Sequence, residues 1–218
     1  MRILGCLTLA VVLVPLSLPQ SHGRNYGEHT APGEFDYYLL SLSWAPGFCA
    51  RPNARPDSLE CASGHRVGFV VHGLWPQLDN GDHPSQCAKA RPVAQDIVKR
   101  TLVYIPDPGL IQHEWRDHGT CSGLSPAAYF DTVRRAADSV NIPADLRQLN
   151  QRITASPHDI TAKFVFANPQ MRDSIRVTCS GGDLAEVRIC LGKDLSPRAC
   201  GVNNFGCTAP SIAILPLR

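Results

Sequence analysis

The sequence predicts an α+β fold, in which a central, mainly antiparallel β-sheet packs with several helices. Strand patterns occur near the start and the end of the chain, whereas the helical patterns lie between them. Near the end, the alternating segments SIRVTCS and LAEVRICLG are separated by Gly181 and Gly182, which is typical of a β-hairpin. Eight cysteines beyond residue 23 add the expectation of four disulfides.

The first 23 residues are predicted to be a secretory signal peptide. Arg2 precedes an apolar run from Ile3 to Leu18, and small and polar residues follow. A membrane anchor is the alternative, but a span needs roughly 20 apolar residues, and Pro15 interrupts this shorter run. We therefore expect residues 24–218 to form a single exported domain, periplasmic or extracellular, with no membrane anchor after signal removal.

The cysteine content agrees with export. Nine cysteines include Cys6 in the predicted signal, and an even set of eight in an exported chain favours disulfides over metal ligation. The sequence contains no C-x-x-C pair that would indicate a zinc ribbon or a redox motif. The formal net charge of +2 neither requires nor excludes a polyanionic partner.

Two strands are predicted in the N-terminal half. Residues 35–44, FDYYLLSLSW, are aromatic and aliphatic, and the following APGFC is expected to turn out of the strand. Residues 67–75, VGFVVHGLW, form the second strand, which Gly73 and Pro76 are expected to end. His72 is therefore predicted at a strand end.

The middle of the chain is predicted to be helical. Apolar residues recur at helical spacing from Ala94 to Leu102, and a short helix is expected to start near Leu110 and to be closed by Gly119. Three more helices are expected: 125–140 with Ser125 as its N-cap, 144–150, and 158–167 with Ser156 as its N-cap.

The segment HEWRDHGTC, residues 113–121, looks at first like the zinc-protease motif, in which two histidines stand four residues apart. Here His113 and His118 stand five apart, so on a regular helix their side chains point about 140° apart. That is too far to ligate one ion unless the helix ends or bends between them. We therefore expect neither a metal nor another cofactor, and a zinc hydrolase is the third hypothesis.

Two segments taken together are more specific than any single histidine, each of which has an alternative as a structural residue. FVVHGLWPQ and HEWRDHGTC resemble the two active-site segments of the ribonuclease T2 family, H-G-L-W-P and H-E-W-x-K-H-G-T-C. The likeness extends to LSLSWAPGFC and AEVRICLGKDLSPRAC. It implies a ribonuclease T2-like fold and a monomeric endoribonuclease that cleaves single-stranded RNA without a metal, through a 2′,3′-cyclic phosphate and with low base specificity. DNA, which lacks the 2′-hydroxyl, would be spared.

By this resemblance His118 is the general base, His72 the general acid and His113 the phosphate-binding residue, with Glu114 assisting at the phosphate. The chemistry agrees, because internal transfer needs a base for the 2′-hydroxyl and an acid for the leaving 5′-oxygen. Histidines with an ordinary pKa near 6.5 can serve as both at mildly acidic pH, so we expect a bell-shaped dependence of activity on pH.

One position departs from the family pattern, because Asp117 stands where the family carries a lysine. This puts an anion beside the presumed reacting phosphate, where negative charge needs cationic donors. Arg116 is adjacent, but neighbouring helix positions differ by about 100°, so its reach to the same oxygen is not assured. Three interpretations stay open: a weaker or retuned enzyme, a catalytically weakened module that binds RNA or protein, and an Asp117 that merely faces solvent.

The resemblance places Trp75 in a base site, where an indole can stack on any base, although a core tryptophan is the alternative. Gln77 stands where some relatives carry an acidic base-recognising residue, so base preference does not transfer. Trp44 and Trp115 are expected in the core or the site wall. Four histidines match no motif and are expected at the surface, in loops or in the N-terminal segment: His29, His65, His83 and His158.

Eight cysteines permit 105 pairings, so the disulfides rest on the resemblance and not on spacing. It implies the pairs Cys49–Cys61, Cys87–Cys121, Cys179–Cys207 and Cys190–Cys200. The second pair would brace the chain next to His118, where a displacement of about 1 Å can cost orders of magnitude in rate.

Overall fold

The computed structural model describes residues 30–52, 54, 58–62, 64, 66–201 and 206–217. The predicted signal peptide, His29 and His65 lie outside these residues. The described chain is built on a six-stranded sheet in the order β2-β1-β5-β6-β3, with β4 paired to β5. The strands are β1 (Tyr37–Trp44), β2 (Phe69–Gln77), β3 (Ile153–Ala155), β4 (Ile175–Ser180), β5 (Asp183–Leu191) and β6 (Ile212–Ile214).

The predicted α+β class with a mainly antiparallel sheet is confirmed. Strand β1 pairs antiparallel with both β2 and β5, β4 with β5, and β3 with β6, while β5 and β6 meet in a single parallel pair. The predicted hairpin is β4 and β5, and its turn residues Gly181 and Gly182 have φ of 62° and 86°. Glycine adopts this left-handed region without a Cβ clash, as a tight hairpin turn requires.

Helices cover the parts of the chain between the strands. Ser125 and Ser156 cap two of them as predicted, because their hydroxyls accept from the backbone N–H of Ala128 and Asp159. Asp107 caps a third in the same way, so that helix starts at 108 instead of near Leu110. The helices are α1 (Ala45–Cys49), α2 (Gln95–Thr101), α3 (Pro108–Asp117), α4 (Pro126–Asp138), α5 (Ala144–Arg147) and α6 (Pro157–Ala167).

The two faces of the central strands have different roles. On β1 the even-numbered residues from Tyr38 to Trp44 join the main hydrophobic core, together with Val187 and Ile189 of β5. The opposite face of β1 carries Ser41 and Ser43, which pair with Arg188 and Glu186 of β5. Because directly paired residues point to the same side of a sheet, these four lie on one polar face.

The second strand has the predicted length but lies two residues further along the chain, and it contains a bulge. It runs to Gln77, and Pro76 is tolerated because β2 is an edge strand. Opposite Ser41 the register shifts, since Ser41 pairs with Gly73 and the next residue, Leu42, pairs with Val71. His72 is the extra residue, so the prediction that it lies at a strand end was wrong. A bulge re-aims side chains, and this one places His72 on the polar face.

Other departures from the predicted elements are local. The APGFC segment is the short helix α1, and α5 covers four residues instead of the predicted seven. Strands β3 and β6 were not predicted, because three residues each are too few to show an alternating pattern. The disulfides join Cys49 to Cys61, Cys87 to Cys121, Cys179 to Cys207 and Cys190 to Cys200, the pairs that the resemblance implies.

Over the described residues, every helix is too short or too polar to cross a membrane.

Candidate active site

The two predicted active-site segments meet where helix α3 packs against strand β2. Trp75 stands between two of the histidines, with its ring centroid 5.1 Å from that of His72 and 5.4 Å from that of His118. His113 lies next to His118, with 6.2 Å between the ring centroids. The structure thus brings His72, His113 and His118 together, although 46 positions separate the first from the last in the sequence.

Glu114 fixes the contact between helix and strand. Its side chain is buried, and Oε2 accepts a hydrogen bond of 2.8 Å from Nε1 of Trp75. The carboxylate lies directly over Gly73, where an added Cβ would be 2.0 Å from Oε2 and 2.2 Å from the Trp75 Nε1. Position 73 therefore admits only glycine, which gives the glycine of HGLW a physical reason.

Burial changes the acidity of Glu114. Desolvation raises the pKa of this carboxyl to about 7, although the charge of His72 and the hydrogen bond from Trp75 act in the opposite direction. Oε1 is buried and has no hydrogen-bond partner among the described residues. Near neutral pH this carboxyl can therefore either donate or accept a hydrogen bond through Oε1.

His118 follows the last residue of α3, and its φ of −121° ends the helix there. Its backbone N–H still donates to the Glu114 carbonyl, at 3.1 Å. Burial lowers the pKa of the imidazole to about 4, assisted by the neighbouring His113 and opposed by Asp117. Nδ1 is buried and accepts or donates no hydrogen bond within the described chain. The ring is therefore neutral from mildly acidic pH upward, as a base must be.

Gly119 was predicted to close the helix, and α3 does end just before it, but Gly119 does not have the positive φ that is common in a glycine at a helix end. It opens a 3₁₀ turn, Gly119–Ser122, and the glycine with positive φ is Gly123, at 75°. Gly119 is needed for a different reason, because a Cβ there would lie 2.4 Å from the Trp115 ring and 3.0 Å from Tyr129. The close packing of these rings holds the chain immediately after His118.

His72 has a partner that the sequence reasoning missed. Its Nδ1 lies 2.7 Å from Oε1 of Glu186, whose Oε2 accepts a hydrogen bond from Nε of Arg188 at 2.8 Å and forms an ion pair with Nη2 at 2.7 Å. Burial lowers the pKa of His72, but the hydrogen bond and charge of Glu186 outweigh it, so the pKa lies above the ordinary value of 6.5. The sequence did offer a signal for this partner, because Glu186 and Arg188 are two charged residues, two positions apart, on an otherwise largely apolar strand.

Arg116 and Asp117 surround the outer face of His113. Arg116 Nη2 lies 2.8 Å from His113 Nδ1, and its Nε donates to Asp117 Oδ1 at 2.6 Å. Asp117 Oδ2 is 3.4 Å from the same Nδ1, and the side chain is only 16% exposed. The interpretation of Asp117 as a residue that merely faces solvent is therefore wrong, and Arg116 does reach the histidine cluster.

The remaining predicted residues divide between site and core. Trp75 is partly buried, its N–H is used by Glu114, and the guanidinium of Arg188 lies 5.4 Å from its ring centroid, so it is part of the site wall. Gln77, two residues on and therefore on the same face, donates its amide to the Pro76 carbonyl. Trp44 and Trp115 are buried core residues, and His83 and His158 are exposed.

The end of α3 also removes the spacing argument against a metal. His113, Glu114 and His118 each offer one ligand atom, and these atoms lie within 4.8 Å of one another. The five-residue spacing would separate the rings on a continuous helix, but the break at His118 brings them together. The geometry could therefore accommodate a metal ion. Measuring RNA cleavage in the presence of a chelator tests whether the reaction requires one.

Comparison with known proteins relates the chain to ribonucleases. The model of the ribonuclease T2 family matches residues 35–200. A ribonuclease of Aeromonas hydrophila is 45% identical over 93 residues, and a probable ribonuclease of Haemophilus influenzae is 30% identical over 156. These matches cover 43% and 66% of this chain, but only 40% and 54% of the two relatives, less than two thirds of their length. Ribonuclease DdI of Dictyostelium discoideum is 30% identical over 211 residues, 89% of each chain.

Solved structures agree on the fold. An RNase-related protein from Calystegia sepium superposes with a TM-score of 0.68 at 24% identity, over 87% of this chain and 99% of that one. A mutant of RNase MC1 in complex with 5′-UMP gives 0.63 at 23% identity, over 82% and 98%. At these identities the similarity concerns the fold alone.

Proposed function

The chain belongs to the ribonuclease T2 family, and from this premise we propose that it is an endoribonuclease that cleaves single-stranded RNA by internal transfer. The observation that carries the proposal is the pair of histidines, His72 and His118, that both lie beside Trp75. His118 is partly buried and held neutral, and His72 is bound to a carboxylate and held protonated. These are the protonation states that a general base and a general acid need at the same pH.

In the proposed first step, neutral His118 takes the proton of the ribose 2′-hydroxyl, and the 2′-oxygen forms a bond to the adjacent phosphorus. The bond from phosphorus to the 5′-oxygen breaks, and His72 gives that oxygen its proton. The products are a 2′,3′-cyclic phosphate and a free 5′-hydroxyl. DNA is spared, because it lacks the attacking 2′-hydroxyl.

His113 and Glu114 serve the phosphate in this proposal. With Arg116 donating to Nδ1, His113 keeps a proton on Nε2 for a non-bridging oxygen. Glu114 has a pKa of about 7 because of burial, so below that pH its free Oε1 side can donate to the charge that develops on phosphorus. Arg116 supplies a cation near the position where the family carries a lysine, partly neutralised by Asp117.

Low base specificity is proposed from the contacts of the predicted base site. The Trp75 indole can stack on any base, and Arg188 lies against its ring. Gln77 uses its amide N–H on the Pro76 carbonyl, which leaves the amide oxygen and one N–H for a base. Neither group selects one base edge strongly.

We further propose that the enzyme works without a metal, since the two histidines provide both proton transfers. An ion bound by His113, Glu114 and His118 would occupy the base itself and compete with RNA. Export of a monomer after removal of residues 1–23 is also part of the proposal. The four disulfides support it, because such bonds persist in oxidising compartments.

A second function is favoured by one observation, the carboxylate of Asp117 at 3.4 Å from His113. An anion there opposes phosphate binding and favours a family member that binds RNA or a protein without cleaving. Asp117→Lys separates the two functions. Cleavage that appears only in this variant supports the binding module, and cleavage by the wild type supports the enzyme.

The test uses the purified, oxidised protein with yeast RNA at mildly acidic pH in excess EDTA, with single-stranded DNA as the control polymer. The proposal expects acid-soluble fragments from RNA alone. Fragments that form only after zinc is added would contradict the metal-free mechanism, and intact RNA under both conditions would contradict the enzyme.

A further inference from the structure

We propose that Glu186 and Arg188 of strand β5 form a positioning pair that orients His72 for proton donation to the leaving oxygen. The inference rests on the proposed function, since it assigns to His72 the role of general acid. Neither residue belongs to the two active-site segments, and each acts on the substrate only through another side chain.

The sheet brings these residues together across a strand. His72 lies on β2 and Glu186 on β5, with β1 between them, a distance of two strand spacings or about 10 Å. The residues of β1 beneath the pair are Ser41 and Ser43, whose small side chains leave room above the sheet. The bulge turns His72 onto this same face, where its Nδ1 reaches Oε1 of Glu186.

The two oxygens of Glu186 have separate partners. Oε1 faces His72, whereas Oε2 accepts a hydrogen bond from Nε of Arg188 and forms an ion pair with its Nη2. The side chain is only 12% exposed, so its charge acts in a medium that water screens poorly. Burial raises the pKa of Glu186, but His72 and Arg188 outweigh it and bring the pKa to about 2. The carboxylate therefore stays ionised over the whole working range.

An ionised acceptor on Nδ1 fixes the ring of His72. The imidazole keeps its proton on Nδ1 when neutral, and Nε2 is the nitrogen that remains for the substrate. When the ring is charged, Nε2 carries the proton that the 5′-oxygen will take. Arg188 holds the carboxylate in place and also lies against Trp75, so one guanidinium aligns the acid with the wall of the site.

Other charged groups act on His72 as well. Glu114 on α3 and Glu60 in the loop before β2 favour its protonation, whereas Arg188 and His118 oppose it. Glu186 is the carboxylate in hydrogen-bond contact with Nδ1 and the largest favourable contribution. Its removal is therefore expected to lower the pKa of His72 measurably even though the other groups remain.

The test compares Glu186→Gln with the wild type by NMR titration of His72 and by the pH dependence of kcat. Arg176→Ala is the matched control, because Arg176 faces Arg188 across β4 and β5 but donates to backbone carbonyls of Asp173 and Ile175. We expect Glu186→Gln to lower the pKa of His72 by about one unit or more, and to move the alkaline limb of kcat with it. The control should move neither.

A substrate whose leaving group needs no protonation tests more directly whether Glu186 acts through the general acid His72. On RNA we expect kcat of Glu186→Gln to fall about tenfold or more with little change in KM, since general acid catalysis contributes this much. On uridine 3′-(4-nitrophenyl phosphate) the same variant should lose much less. Glu186→Asp, which keeps the charge, should recover part of the pKa and of kcat, and near-UV circular dichroism checks that each variant is folded.

The outcomes separate the inference from the proposed function. An active wild type whose His72 titrates unchanged in Glu186→Gln overturns the positioning pair alone. If Glu186→Gln lowers the pKa of His72 but the wild type cleaves no RNA, the proposed function is overturned, and with it the role of the pair in catalysis. Equal losses on RNA and on the nitrophenyl ester also overturn the inference, because a structural defect would slow both.

Discussion

At the scale of single residues, His118 and His72 owe their different protonation to their surroundings. His118 is partly buried, its Nδ1 is buried without a hydrogen-bond partner among the described residues, and burial penalises its charged form. His72 is also penalised by burial, but a carboxylate at 2.7 Å more than compensates. Two side chains with one chemical formula thus become a base and an acid.

The pH profile of kcat/KM tests this difference. His118 must be neutral, so activity should rise as pH increases through about 4, the pKa to which burial lowers it. His72 must be protonated, so activity should fall as pH increases through its pKa, which Glu186 holds above 6.5. His118→Ala should abolish cleavage while the fold persists. A bell-shaped pH profile of kcat/KM with both midpoints near pH 6.5 would contradict the assignment of His118 as the base and His72 as the acid.

Glu114 complicates the alkaline limb, because burial raises its pKa to about 7. Glu114→Gln keeps a neutral donor and acceptor at this position, so the limb that remains in this variant belongs to His72. We expect that limb to stay above pH 6.5. Its disappearance in Glu114→Gln would assign the limb to the carboxyl instead.

Asp117 gives a second residue-scale prediction. Asp117→Lys replaces an anion near His113 by a cation, so we expect kcat/KM on RNA to increase about tenfold, equivalent to about 1.4 kcal/mol. Asp117→Asn removes the charge without adding one and should give an intermediate value. Steady-state rates at low ionic strength measure both. An Asp117→Lys rate at or below that of the wild type would show that the Arg116 pair is the better arrangement.

At the scale of elements, the site depends on how closely α3 approaches β2. Glu114 lies over Gly73, and Gly119 lies against Trp115 and Tyr129, so one glycine on each segment permits the contact. The hydroxyl of Tyr129 on α4 also donates to the Leu74 carbonyl of β2, at 2.9 Å. Helix and strand are thus held at one fixed separation.

Gly73→Ala tests this close approach. The new Cβ would lie 2.0 Å from the Glu114 carboxylate and 2.2 Å from the Trp75 indole, far inside van der Waals contact. We therefore expect destabilisation of about 1–3 kcal/mol and a loss of activity of about 100-fold. Gly109→Ala, on helix α3 but away from β2, places its Cβ 3.1 Å from the Asp107 carboxylate alone and is the control. Urea unfolding and RNA cleavage measure the two effects, and a fully active Gly73→Ala would refute the argument.

The sequence predicted those elements whose signals are local. Ser125 and Ser156 cap their helices, and the glycines of the hairpin turn have the expected positive φ. The position of His72 was not predictable, since a bulge depends on the register of the facing strand. The contact of His72 with Glu186 joins residues 114 positions apart, and no periodicity within one segment reports it. The clustering of the histidines was implied by resemblance alone.

At the scale of the whole molecule, the two faces of the sheet have different roles, one in stabilising the fold and the other in forming the candidate site. One face of β1 and β5 supports the main core, and the other carries the polar residues beside His72. Disulfides then attach loops to this framework. Cys87–Cys121 closes a loop next to α3, where the N–H of Gln86 donates to the Asp117 carbonyl at 2.9 Å.

Removal of this disulfide should affect both stability and activity. The chain-entropy estimate is about 4 kcal/mol for the separation of 34 residues between Cys87 and Cys121, and about 3 kcal/mol for the 12 residues of Cys49–Cys61. We expect the double alanine variant of the first pair to be less stable and to lose activity at temperatures where it is folded. The second pair is the control, and equal activities of the two variants would argue against bracing of His118.

The central claim is that two histidines cleave RNA by internal transfer without a metal. Mass spectrometry of the ends formed early in a digest of a defined oligoribonucleotide, in excess EDTA, tests it most directly. The account predicts 2′,3′-cyclic phosphate and 5′-hydroxyl ends that form equally well in chelator. Ends carrying a 5′-phosphate, or cleavage that requires added zinc, would contradict it.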